Sequence, residues 1–348
     1  MSTQRGRIRI TGFDPSRVDE RDALSEWVED GETEPESRWR RAWRRFRRNR
    51  SAMLGVVVVA LLALLALFAR PVEVFGVTVQ PLALTPFEPD TILYLTPEYA
   101  NIGPYSPPSG TALLGTDGTG RDILSRLLYG GRYSLSIGFI VVLITAIIGI
   151  VYGSVSGYYG GLVDEVMMRV LDVIFAFPGL VLALVVVATL GGGYWQLVLA
   201  FTIFGWAGYA RLIRGEILKV KQNEYVMAAR ALGARDRTVI FRHIVPNALA
   251  PVVVQASLSV GTVVIGVAAL GFLGVGLDPT TAEWGTMLNN ARDTLIQGPG
   301  ATLPWWATVF PGVAIFLFVM AMNLIGDGIN DALDAQDKTV TQSQGGGA

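Results

Sequence analysis

Side chains able to move protons or hold charge cluster in only a few places along the chain. Asp117, Arg121, Asp122 and Arg126 share one short stretch, Asp164, Arg169 and Asp172 another, and Glu283 stands near Arg292. Neighbouring carboxylates can do general acid–base work. Here the acids at 117, 122, 164, 172 and 283 have arginines close by, and they read as ion pairs with Arg121, Arg126, Arg169 or Arg132. Asp164 and Arg169 would flank a turn. His243, the single histidine, could titrate near neutrality, but reads as an exposed or capping residue. The chain has no Cys, which excludes disulfides, thiol chemistry and cysteine metal sites. No metal ligand set emerges, and no GxxxxGK[ST] phosphate loop is present. No catalytic residue is therefore assigned, and any energy for active work must come from another chain.

A second group has a different character. Glu224-Tyr-Val-Met-Ala-Ala-Arg-Ala-Leu-Gly233 reads as a helix stopped by Gly233. Ala229 and Gly233 are four residues apart and share a face, so another protein could approach closely. Asp236 can cap a second short helix, Arg237–His243, and Pro246 sits where a following helix would begin. Helix–turn–helix DNA readers share part of this pattern, but long apolar stretches flank it, and the net charge of −1 does not suit a nucleic-acid binder.

Those apolar stretches define the elements that must position the loop. The chain is 51% hydrophobic and 16% charged, against about 25% charged for a soluble domain. Residues 1–36 hold ten carboxylates and five arginines and read as a solvated tail, without the apolar core of a signal peptide. Residues 38–50 carry eight arginines interleaved with Trp39, Trp43 and Phe46. Such a run could bind nucleic acid, but ahead of an apolar span it reads as a juxtamembrane helix at anionic headgroups. About 20 apolar residues cross a bilayer as a helix. On that measure Ala52–Ala69 is span one and Tyr133–Val163 span two. Val173–Ala210, broken at Gly191-Gly192-Gly193, is a hairpin of spans three and four. Ile244–Leu277 is span five and Trp306–Ile325 span six. An inside N-terminus then places 23 of 28 Lys/Arg on the cytoplasmic side, as the positive-inside rule requires. No span has an ionisable residue near its centre, which argues against a proton-coupled carrier and an intramembrane hydrolase. Gly149, Gly153 and Gly157 form a stripe suited to static close packing or to sliding.

The loop resembles the EAA loop of binding-protein-dependent ABC importer permeases. Ala228, Ala229, Gly233 and Pro246 keep that loop's order and spacing, Met227 stands at its acidic position, and Glu224 occupies the place typical of the peptide-transporter branch. Leu114-Gly-Thr-Asp-Gly-Thr-Gly-Arg-Asp122, Gly157-Tyr-Tyr-Gly-Gly161, Phe177-Pro178, Leu273-Gly-Val-Gly276, Glu283-Trp-Gly285 and Gly326-Asp-Gly328 resemble other signatures of the branch. The family commonly has an acid and a Ser shortly before Phe272, where this chain has Val267 and Gly271. The arginine run with span one resembles the N-terminal extension of the second, C-type permease of dipeptide/oligopeptide systems.

The resemblance implies an all-α polytopic membrane protein with six transmembrane helices and the type I ABC importer permease fold. It implies import of di/oligopeptides or a related solute, nickel included, by alternating access. Expected partners are a second similar permease, two cytoplasmic ABC ATPases that bind the ATP, an extracytoplasmic substrate-binding lipoprotein, and the lipid bilayer, with no nucleic acid. Glu224, Ala228, Ala229, Arg230, Gly233 and Pro246 are the expected coupling residues, with Glu224 and Arg230 orienting the helix by ion pairs. No cofactor of the chain's own and no substrate-path residues are assigned. The expected layout is a cytoplasmic tail with its arginine helix (1–50), span one (51–70), an extracytoplasmic loop (71–132), a five-helix core with the coupling loop at 211–246 (133–326), and a cytoplasmic tail (327–348), all in the plasma membrane. On the spans and loop alone, a channel or a scaffold that recruits a soluble partner would also fit.

Overall fold

A computed structural model describes residues 38–74, 77–292 and 303–344. The acidic tail at 1–36, the end of the loop at 278–302 and the last four residues lie outside them. The arginine run forms α1 (Arg38–Arg48). Asn49 caps α2 (Arg50–Phe68), its side chain accepting from the Ala52 N–H at 3.1 Å. After a small antiparallel pair, β1 (Val72–Val74) and β2 (Val77–Gln80), come α3 (Ile123–Tyr159), α4 (Gly161–Phe175), α5 (Gly179–Leu190), α6 (Tyr194–Val220), α7 (Glu224–Ala231), α8 (Ala250–Phe272), α9 (Trp284–Ala291) and α10 (Trp306–Gln344).

Five of these helices, α2, α3, α6, α8 and α10, are long and apolar enough to cross a membrane. A sixth span exists if α4 and α5, bent by 78° at their junction, count as one. The stretch Val173–Ala210, expected as a hairpin of spans three and four, has a further break in its first arm at Ala176–Pro178, where Pro178 offers no N–H and disfavours helix at the residue before it. Asp164 and Arg169 both lie inside α4 rather than at its flanking turn. Span two starts earlier than its uncharged stretch suggested, because Asp122 accepts from the N–H and hydroxyl of Ser125 and so caps α3 ten residues before Tyr133. Helix α9, within the segment read as a loop, is buried through Trp284, Gly285 and Met287.

Close approaches hold the helices together. Gly149, Gly153 and Gly157 of α3 face Tyr209, Ala210, Ile213 and Ile217 of α6. A Cβ on Gly149 would come 2.8 Å from the Trp206 carbonyl oxygen, and one on Gly153 would fall on that of Ala210. The glycine stripe is thus a tight helix seam. Gly138 opens α3 to Val260 and Val264 of α8, and Gly55 opens α2 to Ala321 of α10. Arg132 donates from Nε to the Ala66 carbonyl at 2.8 Å and from Nη2 to that of Leu67 at 2.8 Å. It so closes the C-terminal end of α2.

Gly153→Val should overpack the α3–α6 seam and cost about 1–3 kcal/mol. Gly179→Ala, with nothing within 4 Å of its Cβ, should leave stability unchanged or slightly raised. Thermal scans of the detergent-purified variants read this, and equal midpoints for the two would contradict the seam.

Candidate functional site

The loop between α6 and α8 is anchored on the end of α3. Lys221 Nζ donates to the Gly157 carbonyl at 2.7 Å. Arg214 of α6 grips Asp164 with two guanidinium nitrogens, Nε donating to Oδ1 at 2.6 Å and Nη2 to Oδ2. Asp164 therefore pairs with Arg214, not Arg169, and Asp172 pairs mainly with Arg211 at 3.0 Å. Helix α7 follows within four residues of α6. Its Val226 is fully buried among Val239, Ile240 and Ile244.

Gly233 ends α7 by a specific geometry. Its N–H donates to Arg230 O at 2.9 Å, and the Ala234 N–H reaches back to Ala229 O at 3.1 Å. That pair of bonds is the Schellman closure, and it needs the left-handed residue that Gly233 supplies at φ +79°. Arg230 lies with its guanidinium carbon 4.5 Å from the centre of the Tyr158 ring, a cation–π contact. The Tyr158 hydroxyl donates to Asp236 Oδ1 at 2.6 Å. One tyrosine at the end of α3 thus touches both sides of the Gly turn. Arg230 lies against this ring, and Glu224 sits in the first turn of α7, where an acid complements the helix dipole.

Asp236 does not cap a second helix, because its carboxylate is taken by Tyr158. The segment expected as Arg237–His243 is one turn at Asp236–Thr238 followed by a π-helical stretch, Val239–Ile244. Pro246 begins a further turn, Val245–Ala248, ahead of α8. The His243 carbonyl accepts from the Asn247 side chain at 2.8 Å.

Glu224, Ala228, Arg230, Gly233 and Pro246 are exposed and Ala229 is half-buried. Beside them Tyr225, Met227 and Leu232 present apolar surface, Leu232 at 88% exposure. The loop therefore offers an uncovered helix with a buried root. Sequence reasoning missed Tyr158, Val226 and Arg214 as its supports. The available signal was Tyr158-Tyr159 directly before the Gly160-Gly161 reversal.

At the other end of α3 lies a buried ion-pair cluster. Arg121 Nε donates to Asp117 Oδ2 at 2.8 Å, and Arg126 Nε lies 3.5 Å from the same oxygen. Arg126, fully buried, also donates to Pro89 O at 2.9 Å, Asp90 at 3.2 Å and Thr280 O at 3.0 Å. It ties the segment before α3 to the one between α8 and α9. Asp122 and Glu283 are not in these pairs. Glu283 caps α9, accepting from the N–H groups of Gly285 and Thr286 and the hydroxyls of Ser134 and Thr286. The expected carboxylate–arginine pairing thus holds at 117 and, with other partners, at 164 and 172.

A polytopic α-helical membrane protein with an anchored but uncovered helical loop is the class these features define. The model of the binding-protein-dependent transport system inner membrane component family matches residues 149–336, and that of the N-terminal TM domain of oligopeptide transport permease C matches residues 37–108. The glutathione transport system permease protein GsiD of Pectobacterium atrosepticum is 41% identical over 301 residues, covering 86% of this chain and 92% of the relative. Its Escherichia coli counterpart is 41% identical over 300 residues, covering 86% and 91%. A crystal structure of an amino acid ABC transporter with histidines aligns with TM-score 0.40 and 17% identity over 62% of this chain and 94% of that one. The chain belongs to the binding-protein-dependent transport system inner membrane component family. It is an all-α, multi-pass permease subunit of an ABC importer, a transport subunit of the inner membrane and not an enzyme.

Burial raises the Glu283 carboxyl above its ordinary value of 4.5, outweighing the hydrogen bonds that lower it. A raised carboxyl binds its proton more tightly when folded, so its contribution to stability is lost as pH rises from the ordinary value toward the raised one. The melting midpoint of the purified chain should fall over that window. Glu283→Gln, which cannot ionise, should flatten the slope, and parallel slopes would refute the assignment.

Proposed function

We propose that the chain imports a di- or oligopeptide, or a chemically related small solute, with the 211–246 loop as the point where partner ATPases act. The exposed α7, rooted in the fold by Val226 and closed at Gly233, is the observation that carries this reading. A lever must be stiff and free on one side. The buried Val226 and the Tyr158 contacts supply stiffness, while Glu224, Ala228, Gly233 and Leu232 leave a face for a cleft in another protein. Displacement of α7 would pass to α6 across a three-residue link, and to the end of α3 through Tyr158 and Lys221.

The peptide class is supported by the names of the GsiD relatives, which are glutathione permeases, and by the match of residues 37–108 to a domain of oligopeptide permeases. The concentration of Lys/Arg in α1 and in 211–243 supports a cytoplasmic location for both, with the Asp117–Arg126 cluster on the outer side. The partners proposed are a second permease of the family, two ATPases that bind the ATP, and an outer solute-binding protein. Residues 1–50 and 327–348 would be cytoplasmic tails around a core whose ends are these two clusters.

Among the described residues nothing lies within 4 Å of a Cβ placed on Gly233, while its φ of +79° strains most side chains placed there. Gly233→Trp should abolish ATP-driven uptake of glutathione or short peptides by the reconstituted complex while the chain still inserts. Gly233→Asn, which tolerates the left-handed conformation and adds little bulk, should retain most uptake. Wild-type uptake in the Trp variant would rule the coupling role out.

A further inference from the structure

Helix α8 presents an uncovered face unlike that of the other spans. Gln255, Ser259 and Thr262 follow one another at four- and three-residue steps, so they share one side of the helix. Gln255 and Thr262 are exposed and Ser259 is half-buried. The uncovered side of α2, by contrast, is Leu54, Val57, Leu61, Leu64 and Leu67, the composition that lipid tails accept. Polar side chains inside a membrane face the bundle or a water-filled space. Those on α8 have little to occupy them: Gln255 Nε2 donates to Ser259 Oγ at 3.2 Å and the Thr262 hydroxyl falls back on Leu258 O at 3.3 Å.

A second observation comes from α6. Among the described residues, the buried hydroxyl of Thr202 has no hydrogen-bond partner. Tyr209, only 4% exposed, meets Ser259 of α8 with its hydroxyl, and Thr202, seven residues earlier, lies on the same side of α6. A buried polar atom left unpaired costs about 1–3 kcal/mol. In a bilayer no water reaches it from the lipid side, so Thr202 on this helix face marks a seam that is hydrated, or solute-filled, in the working protein.

We propose that Gln255, Ser259 and Thr262 of α8, with Tyr209 and Thr202 of α6 behind them, form part of the wall of the solute path; this rests on the importer reading above. The chemistry suits a peptide. Hydroxyls and a carboxamide both donate and accept, as the amide groups of a peptide do. Helix α8 contains no ionisable residue, so its wall holds no fixed charge to trap a charged terminus. Peptides of differing side-chain charge would pass alike, and selection would be left to the protein that delivers them.

The chain has no cysteine, so single-cysteine variants report cleanly. Gln255→Cys, Ser259→Cys and Thr262→Cys would be compared with Leu61→Cys and Leu64→Cys in the full complex in membrane vesicles. The probe is a positively charged, membrane-impermeant methanethiosulfonate, read on this chain by mass. The three α8 positions should react while the α2 positions do not, and labelling should drop uptake to the level without ATP. Labelling no faster than at Leu61 and Leu64, or labelling that leaves uptake intact, would overturn the proposal. Absence of ATP-dependent peptide uptake before any labelling would remove the importer reading and the path with it, a result visible separately from the labelling comparison.

Discussion

Within a bilayer, leucine against leucine gains little over leucine against a lipid tail, so helices associate where their backbones come close. The α3–α6 seam meets that constraint. Gly149, Gly153 and Gly157 let α3 lie directly on Tyr209, Ala210, Ile213 and Ile217. The rest follows from those two helices. Helix α3 carries at one end the buried Asp117–Arg126 cluster and at the other Tyr158, and α6 leads straight into α7. A shift along the seam would be felt at both ends of the molecule.

The polar groups divide by depth along α3. At its start, Arg126 and Arg121 are buried with carboxylates and carbonyl oxygens that accept from several of their N–H groups. Such burial is tolerated only with partners, and here it fixes the connecting segments as a cap on the helix bundle. At its end the charged side chains of 211–243 are mostly exposed, and the contacts are few and directional: a ring under Arg230, a hydroxyl to Asp236, a lysine to a carbonyl. One end is built to stay put, and the other holds a small helix by its root.

Periodicity and apolar length disclosed the spans, because a helix in lipid must be long and uncharged whatever it packs against. The Gly stop at Gly233 was legible for a similar reason: left-handed closure leaves few alternatives to glycine. Contacts that join distant residues were not legible. Asp236 looked like a cap because nothing local announces that Tyr158, 78 residues earlier, takes its carboxylate. Arg214 replaced Arg169 at Asp164 because α4 folds back on α6 across the Gly160–Gly161 reversal. Helix α9 is not legible in the sequence because its eight residues, Trp284–Ala291, are too short to carry a period, and its N-cap Glu283 is recognisable only once buried. The polar face of α8 was in the sequence throughout, but gained meaning only when the neighbouring helices left it uncovered.

The coupling role of the α7 loop is tested most directly by a benzophenone photocrosslinking residue in place of Leu232, the most exposed large apolar side chain of the loop, in the assembled complex. Illumination should join this chain to an ATPase subunit, in a yield that changes when ATP is added. The same probe at Leu113, which is exposed near the opposite end of α3, should give no ATPase adduct. An ATPase adduct from Leu113, or none from Leu232, would contradict the assignment of that loop as the place where energy enters.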